Sequence, residues 1–322
     1  MDGDRPPRRV LRDAALVVLP GDVRPREGRA WLVGWQHMPG VLRGTRAPAD
    51  PATMTRRTDD VAWLHHFLDR LAETGFPAPR PLPAFGGRSW AVVDGALWEL
   101  VSYLPGQVVG WAGQPPMDEI GALLARYHAA IRRIETGGQR PGALPLAEVP
   151  AVLRSPQLQA ARVGPDQAAI IRGLAEDLAC DLDHARRLAS PRAVIHGDFT
   201  NHNILCAGSP PKLAGVIDFA GAHAEIPLAD IAYGLWRSGR PYQEADHLDL
   251  SRVRRFLRGY TGIARISADE AQLLPVYLRG RGLQMIAKRI RGGRDEIGML
   301  PQVCWLSANA GLIAEECAGA VA

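Results

Sequence analysis

The residues best suited to chemistry lie in one polar loop and at the end of the strand that follows it. Asp198 and Asn203 are five residues apart in a loop bounded by apolar strand residues, and Asp218 ends the next apolar run. Two strands of a hairpin would bring Asn203 and Asp218 close together, and a carboxylate with an amide oxygen suits Mg²⁺ completed by water and phosphate. Asp198 can then accept a proton from an incoming hydroxyl group. A polar turn with a structural His196 would not explain Asn203 and Asp218 together.

This loop resembles the catalytic loop of the aminoglycoside phosphotransferase family, which includes antibiotic kinases, homoserine kinases of that fold and choline kinases. The resemblance rests on His196-Gly197-Asp198 with Asn203, and on Ile217-Asp218-Phe219, which is similar to the family's metal-binding segment. It implies transfer of the γ-phosphoryl group of ATP or GTP to a substrate hydroxyl, with Mg²⁺ as cofactor. Asp198 and His196 are then the expected catalytic residues, and Asn203 and Asp218 the expected metal ligands.

The family resemblance extends to three further segments. Asp230, in Leu228-Ala229-Asp230-Ile231-Ala232, matches an aspartate that braces the catalytic loop, although a helix N-cap is an alternative role for it. His128 matches a family histidine that is expected to be hydrogen-bonded in the interior. The segment 102–106 resembles the hinge between two lobes, so the nucleotide base is expected to meet backbone groups there, at three residues: Ser102, Tyr103 and Leu104.

The sequence departs from the family at the cation that holds the α- and β-phosphates. Kinases of this fold place a lysine on the third strand and pair it with a glutamate on the next helix, but the first 211 residues contain no lysine. Arg43 occupies the matching place, and a guanidinium can hold phosphate oxygens in a bidentate manner. A solvated strand residue is the alternative for Arg43. Asp59 or Asp60, at the start of the next helix, could be its acidic partner, or the pair is absent, and no glycine-rich phosphate loop is recognisable.

The elements that must position these residues follow from apolar periodicity and turn residues. Short apolar runs predict an antiparallel sheet before residue 104, and helical spacing dominates afterwards. We therefore expect an α+β, bilobal, protein-kinase-like fold, with a small antiparallel β N-lobe (1–101), a hinge (102–106) and a larger, mostly helical C-lobe (107–322). The predicted strands are 14–19, 30–35, 41–43, 89–93, 96–103, 194–195 and 213–218, with Gly21 and Gly28 in the turn after the first strand and Asp94-Gly95 as the turn between 89–93 and 96–103. The predicted helices include 59–74, with an apolar face around Leu68 and Gly75 at its end, 117–134 and 166–188, with further helices from 228 onwards.

Composition excludes several other classes of protein. The chain has 322 residues, of which 47% are hydrophobic and 22% charged, and no apolar run approaches the length of a membrane helix. The four cysteines show no zinc-site or disulfide spacing. A cytoplasmic protein with no membrane partner is the expectation. The net charge is +4, but the arginines are spread along the chain, so a nucleic-acid partner is not expected. The sequence makes no prediction about oligomeric state.

The charge of the C-terminal region bears on the acceptor, the small molecule that would receive the phosphoryl group. Between residues 236 and 300 there are 13 basic and 7 acidic residues. A polycationic acceptor needs a surplus of carboxylates, so a neutral or anionic one fits better. Four aromatic residues of this region could stack on a ring or could fill the core: Trp236, Tyr242, Tyr260 and Tyr277.

Three functions stay open at this point. The first is a kinase that phosphorylates an antibiotic or a similar natural product. The second is a metabolic kinase of the same fold, acting on homoserine, choline or a sugar. The third is a pseudokinase that binds nucleotide without chemistry, which the intact set of Asp198, Asn203 and Asp218 argues against. Specificity in such folds depends on the helical lobe, so the motifs do not distinguish the first two.

Overall fold

The computed structural model describes residues 5–20, 29–45, 51–110, 116–135, 138–156, 158, 163–185, 191–292 and 297–322. Gly21 and Gly28, expected in a turn between the first two strands, lie outside these ranges. The chain divides into two compact units. The β-rich unit comprises the described residues of Met1–Gly106 with Arg140–Gly142 and Ala214–Ile217. The helical unit comprises those of Gln107–Gln139, Ala143–Leu213 and Asp218–Ala322.

The β-rich unit is built on a five-stranded antiparallel sheet. Its strands are β1 (Val17–Val18), β2 (Arg29–Trp35), β3 (Met38–Thr45), β4 (Trp90–Val93) and β5 (Ala96–Ser102), in the order β1-β2-β3-β5-β4. The predicted turn between β4 and β5 is confirmed, since Asp94 and Gly95 both have positive φ angles, of 51° and 73°. That conformation matches the right-handed twist of the flanking strands. The predicted antiparallel sheet is thus present.

Two helices of the β-rich unit lie within the described residues. The sequence analysis missed α1 (Arg8–Asp13), whose Val10 is buried in the core beside Val33 and Leu42 of the sheet. Helix α2 (Pro51–Glu73) buries the predicted apolar face around Leu68 and ends before Gly75, which has a φ of +76°. It begins eight residues before the predicted start at 59, because its first two turns are polar and carry no apolar period.

The helical unit contains nine described helices. They are α3 (Met117–Ile131), α4 (Val149–Arg154), α5 (Pro165–Ala185), α6 (Pro227–Ser238), α7 (Leu250–Thr261), α8 (Ala268–Gln272), α9 (Leu274–Arg291), α10 (Leu300–Ala308) and α11 (Ala310–Val321). Short 3₁₀ helices lie at Leu146–Glu148 and Phe219–Gly221. Among the described residues, no helix combines the length and the apolar character that crossing a bilayer requires.

Glycines allow α3 and α7 to cross at backbone contact. A Cβ on Gly121 would lie 2.0 Å from the carbonyl oxygen of Phe256, and a Cβ on Gly259 would lie 1.9 Å from that of Asp118. Because real Cβ atoms do not approach so closely, both positions require glycine. This crossing packs α7 against the helix that carries His128.

Short strands frame the loop predicted to carry the chemistry. Strands β6 (Gln107–Val108), β8 (Ile204–Ala207) and β9 (Lys212–Val216) form a three-stranded sheet in the order β6-β8-β9. Strands β7 (Ala193–Ile195) and β10 (His223–Glu225) pair antiparallel, with Ile195 opposite His223. The loop therefore leaves a buried strand at residue 195 and enters another at residue 204.

Candidate active site

Asp230 anchors the start of the catalytic loop. Its carboxylate is fully buried on α6 and accepts hydrogen bonds from the backbone N–H groups of His196 (2.8 Å) and Gly197 (2.9 Å). Nε2 of His128 lies 3.3 Å from the same carboxylate, and Nδ1 of His128 lies 2.7 Å from the Tyr260 hydroxyl. Burial alone would raise the pKa of Asp230, but the hydrogen bond and charge of His128 outweigh it and lower the pKa. The predicted bracing role of Asp230 and the interior, hydrogen-bonded His128 are both confirmed.

Gly197 is required by the path of the loop. Its φ is +71°, and a Cβ there would lie 2.1 Å from the carbonyl oxygen of Gly221. Any side chain would therefore be strained by its backbone angle and would collide with the neighbouring chain. This close approach explains why a glycine separates His196 from Asp198.

The structure brings Asp198, Asn203 and His196 together. The side-chain N–H₂ of Asn203 donates to the backbone oxygen of Asp198 (2.8 Å) and to its Oδ2 (3.1 Å). The Asp198 N–H donates to Nδ1 of His196 at 3.2 Å. His196 is fully buried, with its ring 4.5 Å from that of Phe219, between centroids. The loop thus closes on itself and presents the Asp198 carboxylate, whose side chain is 24% exposed.

A further residue, Arg281 of α9, contacts the Asp198 carboxylate. Its Nη2 donates to Oδ1 of Asp198 at 3.1 Å. In the sequence, Arg281 stands out only as one of the 13 basic residues between 236 and 300. A signal was available, because Arg281 follows Leu274 and Leu278 at helical spacing and so shares their face of α9. A charge at such a position needs a partner.

Asp218 follows β9 in a left-handed backbone conformation, with φ and ψ both 63°. For a residue other than glycine this conformation costs about 1–2 kcal/mol and is concentrated at functional sites. Asn203 makes its hydrogen bonds through the amide nitrogen, so its amide oxygen is the atom that could bind a metal. That Asn203 and Asp218 share one metal ion stays a prediction.

The donor chemistry fits Mg²⁺ better than a metal that needs an all-protein site. In the described part of the chain, no three His, Cys, Asp or Glu side chains cluster in a way that could hold a metal ion. A cation at Asp218 and Asn203 would have to complete its shell with water and phosphate oxygens. Mg²⁺ is commonly bound in this way.

In the β-rich unit, the acid opposite Arg43 comes from a strand. Arg43 on β3 is paired in register with Glu99 on β5, so the two side chains leave the same face of the sheet. Helix α2 reaches this carboxylate through His65, whose Nε2 lies 3.0 Å from Oε2 of Glu99 and whose Nδ1 lies 2.6 Å from Ser89 Oγ. Burial alone would raise the pKa of Glu99, but the hydrogen bond from His65 and the nearby Arg43 charge lower it.

The acids that the sequence analysis considered as partners of Arg43 have other surroundings. Asp60 accepts a hydrogen bond from Nε of Arg140 at 2.6 Å and another from the Gly142 N–H at 3.1 Å, and Asp59 is exposed. Glu99 could not be predicted as the partner of Arg43, because the register between β3 and β5 cannot be derived from the spacing of residues along the chain.

The predicted hinge residues end β5 and follow it. The Ser102 N–H donates to the Arg80 carbonyl oxygen at 2.7 Å, and the Tyr103 N–H donates to that of Pro39 at 3.0 Å. Both groups are therefore used inside the β-rich unit. Of the three predicted residues, Leu104 remains the candidate that could offer its N–H to a nucleotide base.

The helical unit holds a cavity of about 260 Å³ with a mixed-charge lining. Its wall includes Arg237, Arg240, Glu244, Asp246 and Arg289, with Trp236 and Met285 as apolar members. Burial, followed by the charge of Arg237, lowers the pKa of Arg240 to about 10, and Glu244 opposes this shift. The cavity therefore offers both guanidinium and carboxylate groups to a small polar molecule.

The expectation that four aromatic residues could stack on an acceptor ring needs correction. Tyr260 and Tyr277 are buried in the core, and the Tyr260 hydroxyl contacts His128. They are core residues because α7 and α9 bury these faces. Trp236 lines the cavity, and Tyr242 is 57% exposed.

Comparison with known sequences places the chain among kinases of small hydroxyl compounds. It is 28% identical over 235 residues to a homoserine kinase of Sinorhizobium medicae (strain WSM419), covering 72% of this chain and 68% of the relative. It is 28% identical over 257 residues to a homoserine kinase of Acidiphilium cryptum (strain JF-5), covering 77% and 76%. The model of the phosphotransferase enzyme family matches residues 21–266.

Solved structures share the fold at low sequence identity. The chain resembles the amicoumacin kinase hAmiN in complex with AMP-PNP, Ca²⁺ and Ami, with a TM-score of 0.65, 16% identity and coverage of 97% and 93% of the two chains. It also resembles a microcompartment-associated aminopropanol kinase, with a TM-score of 0.62, 18% identity and coverage of 92% and 90%. The predicted kinase-like fold is confirmed. With the family model matching well over half of its length, the chain is a small-molecule phosphotransferase with a hydroxyl acceptor and belongs to the phosphotransferase enzyme family.

Proposed function

We propose that this enzyme transfers the γ-phosphoryl group of ATP to the hydroxyl of a small acceptor that carries a carboxylate, as homoserine does. The observation that carries the chemical part is the Asp198 carboxylate, partly exposed and held at both oxygens, at Oδ1 by Arg281 and at Oδ2 by Asn203. A carboxylate in this state can accept the hydroxyl proton while the acceptor oxygen bonds to the γ-phosphorus. The bond from that phosphorus to the β,γ-bridging oxygen breaks, and ADP leaves.

The other predicted residues support this step by position. Asp218 and Asn203 would hold Mg²⁺, which when bound neutralises charge on the nucleotide phosphates. Arg43, opposite Glu99, would hold the phosphates, and the backbone of Leu104 would meet the base. His196 is buried and accepts a hydrogen bond from the Asp198 N–H, which supports a positioning role instead of contact with the substrate.

Two observations support a zwitterionic or anionic acceptor. The curated relatives named above are homoserine kinases, and homoserine combines a hydroxyl, an ammonium and a carboxylate group. The cavity in the helical unit places three guanidinium groups against two carboxylates around about 260 Å³. Arg281 beside Asp198 also opposes an acceptor with several ammonium groups, because charges of the same sign would then approach the reacting oxygen.

A hydroxyl of an antibiotic or similar natural product is the second candidate acceptor. It is favoured by the fold match to the amicoumacin kinase, which covers 97% of this chain. At 16% identity this match concerns the fold, so the homoserine-like acceptor stands first.

An acceptor screen tests the proposal. Phosphoryl transfer from ATP, with GTP in parallel, would be measured with L-homoserine, 3-amino-1-propanol, choline, neutral glycosides, nucleosides and kanamycin. The second compound matches homoserine except for the carboxylate. We expect homoserine to exceed 3-amino-1-propanol in kcat/KM by about tenfold or more, the value of one charge-assisted hydrogen bond. A kcat/KM for 3-amino-1-propanol, a neutral glycoside, a nucleoside or kanamycin that equals or exceeds that for homoserine would overturn the proposed acceptor class.

A further inference from the structure

Arg281 is a buried cation that is held in place by contacts other than its hydrogen bond to Asp198. Its Nη1 donates to Oε1 of Gln284 at 2.7 Å, and Nε2 of Gln284 donates to the carbonyl oxygen of Leu144 at 2.6 Å. The guanidinium carbon lies 4.3 Å from the centre of the Tyr233 ring on α6. A hydrogen bond on one edge and an aromatic face together leave the planar guanidinium little freedom to turn.

Arg281 and Asp198 are unequally exposed. The Arg281 side chain is 6% exposed and that of Asp198 is 24% exposed. The buried arginine can therefore act as the fixed partner, while the carboxylate keeps an exposed part that another molecule can reach. With Arg281 on Oδ1 and Asn203 on Oδ2, rotation of the carboxylate would break one of two charge-assisted bonds.

A second buried arginine of α9, Arg279, has partners outside the catalytic loop. Arg279 lies two residues earlier on α9 and is also buried, but it pairs with Asp181 of α5 and with Ser307 of α10. These partners lie outside the catalytic loop. The same helix thus carries one buried arginine that joins helices and one that contacts the catalytic loop.

We propose that Arg281 is a positioning residue, which sets the plane of the Asp198 carboxylate so that one lone pair points at the acceptor hydroxyl. The inference rests on the proposed role of Asp198 as base. Arg281 takes no part in bond making, so its loss should lower kcat with little change in the KM for ATP. The loss of one charge-assisted hydrogen bond corresponds to about a 10- to 100-fold fall in kcat.

The test compares Arg281→Ala with Arg279→Ala in the full-length enzyme. Both variants remove a buried guanidinium from α9, so both should lower the melting temperature. We expect only Arg281→Ala to lose kcat, and low millimolar guanidinium ion, but not sodium chloride, to restore part of it. Equal kcat values for the two alanine variants, or the absence of any guanidinium effect, would overturn the proposal.

A conservative variant keeps the proposal testable if Arg281→Ala does not fold. Arg281→Lys retains the charge, but a single ammonium cannot hold Gln284 and Asp198 in the planar geometry of the guanidinium. A reduced kcat with an unchanged KM for ATP would support the proposal, and a parental kcat would overturn it. Asp198→Asn distinguishes a failure of the proposed function from a failure of the positioning role. If Asp198→Asn stays active, the proposed function fails. If Asp198→Asn is inactive and Arg281→Lys has the parental kcat, only the positioning role is refuted.

Discussion

At Asp218 the backbone departs from the conformations that non-glycine residues prefer, and it does so at the residue expected to hold the metal. The left-handed angle lies in the two-residue connection, Ile217-Asp218, between β9 and the 3₁₀ helix Phe219–Gly221. Since this conformation is unfavourable, the surrounding structure must impose it. The position and the strain agree with a carboxylate that has to be aimed in a fixed direction.

Replacing the two expected metal ligands should lower activity to different extents, because Asp218 carries a charge and Asn203 does not. Asp218→Ala removes a charge and Asn203→Ala removes a dipole, so the aspartate variant should lose more activity. We expect each to lose at least about 10- to 100-fold in apparent metal affinity. A titration of activity against Mg²⁺ would measure this, and added Mg²⁺ should partly restore the asparagine variant. Activity of the parent enzyme in the presence of a metal chelator would contradict the assignment.

Glu99, not a helix acid, is expected to orient Arg43. Glu99→Gln removes the charge opposite Arg43, and Arg43→Ala removes the guanidinium itself. Both should raise the KM for ATP, by about tenfold if one charge-assisted bond is lost, and Arg43→Lys should retain part of the function. The matched control is Asp60→Asn, because the carboxylate of Asp60 binds Arg140 in the parent protein. Steady-state kinetics in which Asp60→Asn raises the KM and Glu99→Gln does not would identify the helix acid as the partner.

Among the elements, β10 carries a histidine that should make stability depend on pH. Burial lowers the pKa of His223 from 6.5 to about 4, while the hydrogen bond between its Nδ1 and the Gly221 carbonyl oxygen (2.8 Å) opposes the shift. In the described structure its Nε2 is buried with no hydrogen-bond partner, so a second proton is unfavourable.

The direction in which stability changes with pH follows from the lowered pKa of His223. The unfolded chain binds a proton at this histidine below pH 6.5, but the folded chain does so only near pH 4. The stabilisation is complete above pH 6.5 and is lost as the pH falls towards 4, by up to about 3 kcal/mol. Denaturant unfolding of the parent and of His223→Asn across this range would measure it. Equal slopes of stability against pH in the two proteins would contradict the assignment.

The crossing of α3 and α7 should not tolerate a methyl group. Gly259→Ala forces a Cβ against the Asp118 carbonyl and should destabilise the protein by about 1–3 kcal/mol. Gly173→Ala is the matched control, because a Cβ at this position in α5 meets nothing within 4 Å. It should be neutral or stabilising by up to about 1 kcal/mol. Thermal unfolding would show the difference, and similar melting temperatures for both variants would refute the proposed steric requirement.

Elements with a strong local signal could be predicted from the sequence. The apolar face of α2 and the Asp94-Gly95 turn were found because each depends on neighbours in the chain. Helix α1 and the polar start of α2 gave no apolar period and were missed. The bracing of the catalytic loop by Asp230 followed from the family resemblance, whereas the glycine clashes at the α3–α7 crossing depend on packing and had no sequence signal.

At the scale of the whole molecule, long-range contacts account for most of what the sequence could not supply. Glu99 meets Arg43 through strand register, and Arg281 meets Asp198 across 83 positions of the chain. The segments Arg140–Gly142 and Ala214–Ile217 group with the β-rich unit although they lie far along the chain. Residue spacing does not show which distant segments pack together, so the pairing of Glu99 with Arg43 and the contact of Arg281 with Asp198 could not be predicted.

The count of basic residues between 236 and 300 overstates the positive charge that could act on an acceptor. The basic surplus between residues 236 and 300 includes arginines with structural partners, such as Arg279 with Asp181 and Arg254 with Glu316. Only some of it can therefore act on an acceptor. Under the proposed function, the groups that would act on an acceptor are Arg281 at the Asp198 carboxylate and the charged residues that line the cavity.

The most direct test of the account is phosphoryl transfer by Asp198→Asn. ADP formation from ATP and Mg²⁺ would be measured for the parent and the variant with the best acceptor of the screen, and nucleotide binding by calorimetry. If Asp198 is the base, kcat should fall by a factor on the order of 10²–10⁴ with nucleotide binding retained, since only the proton acceptor is lost. A variant that keeps more than about a tenth of the parental turnover would contradict it, because a general base contributes far more than that.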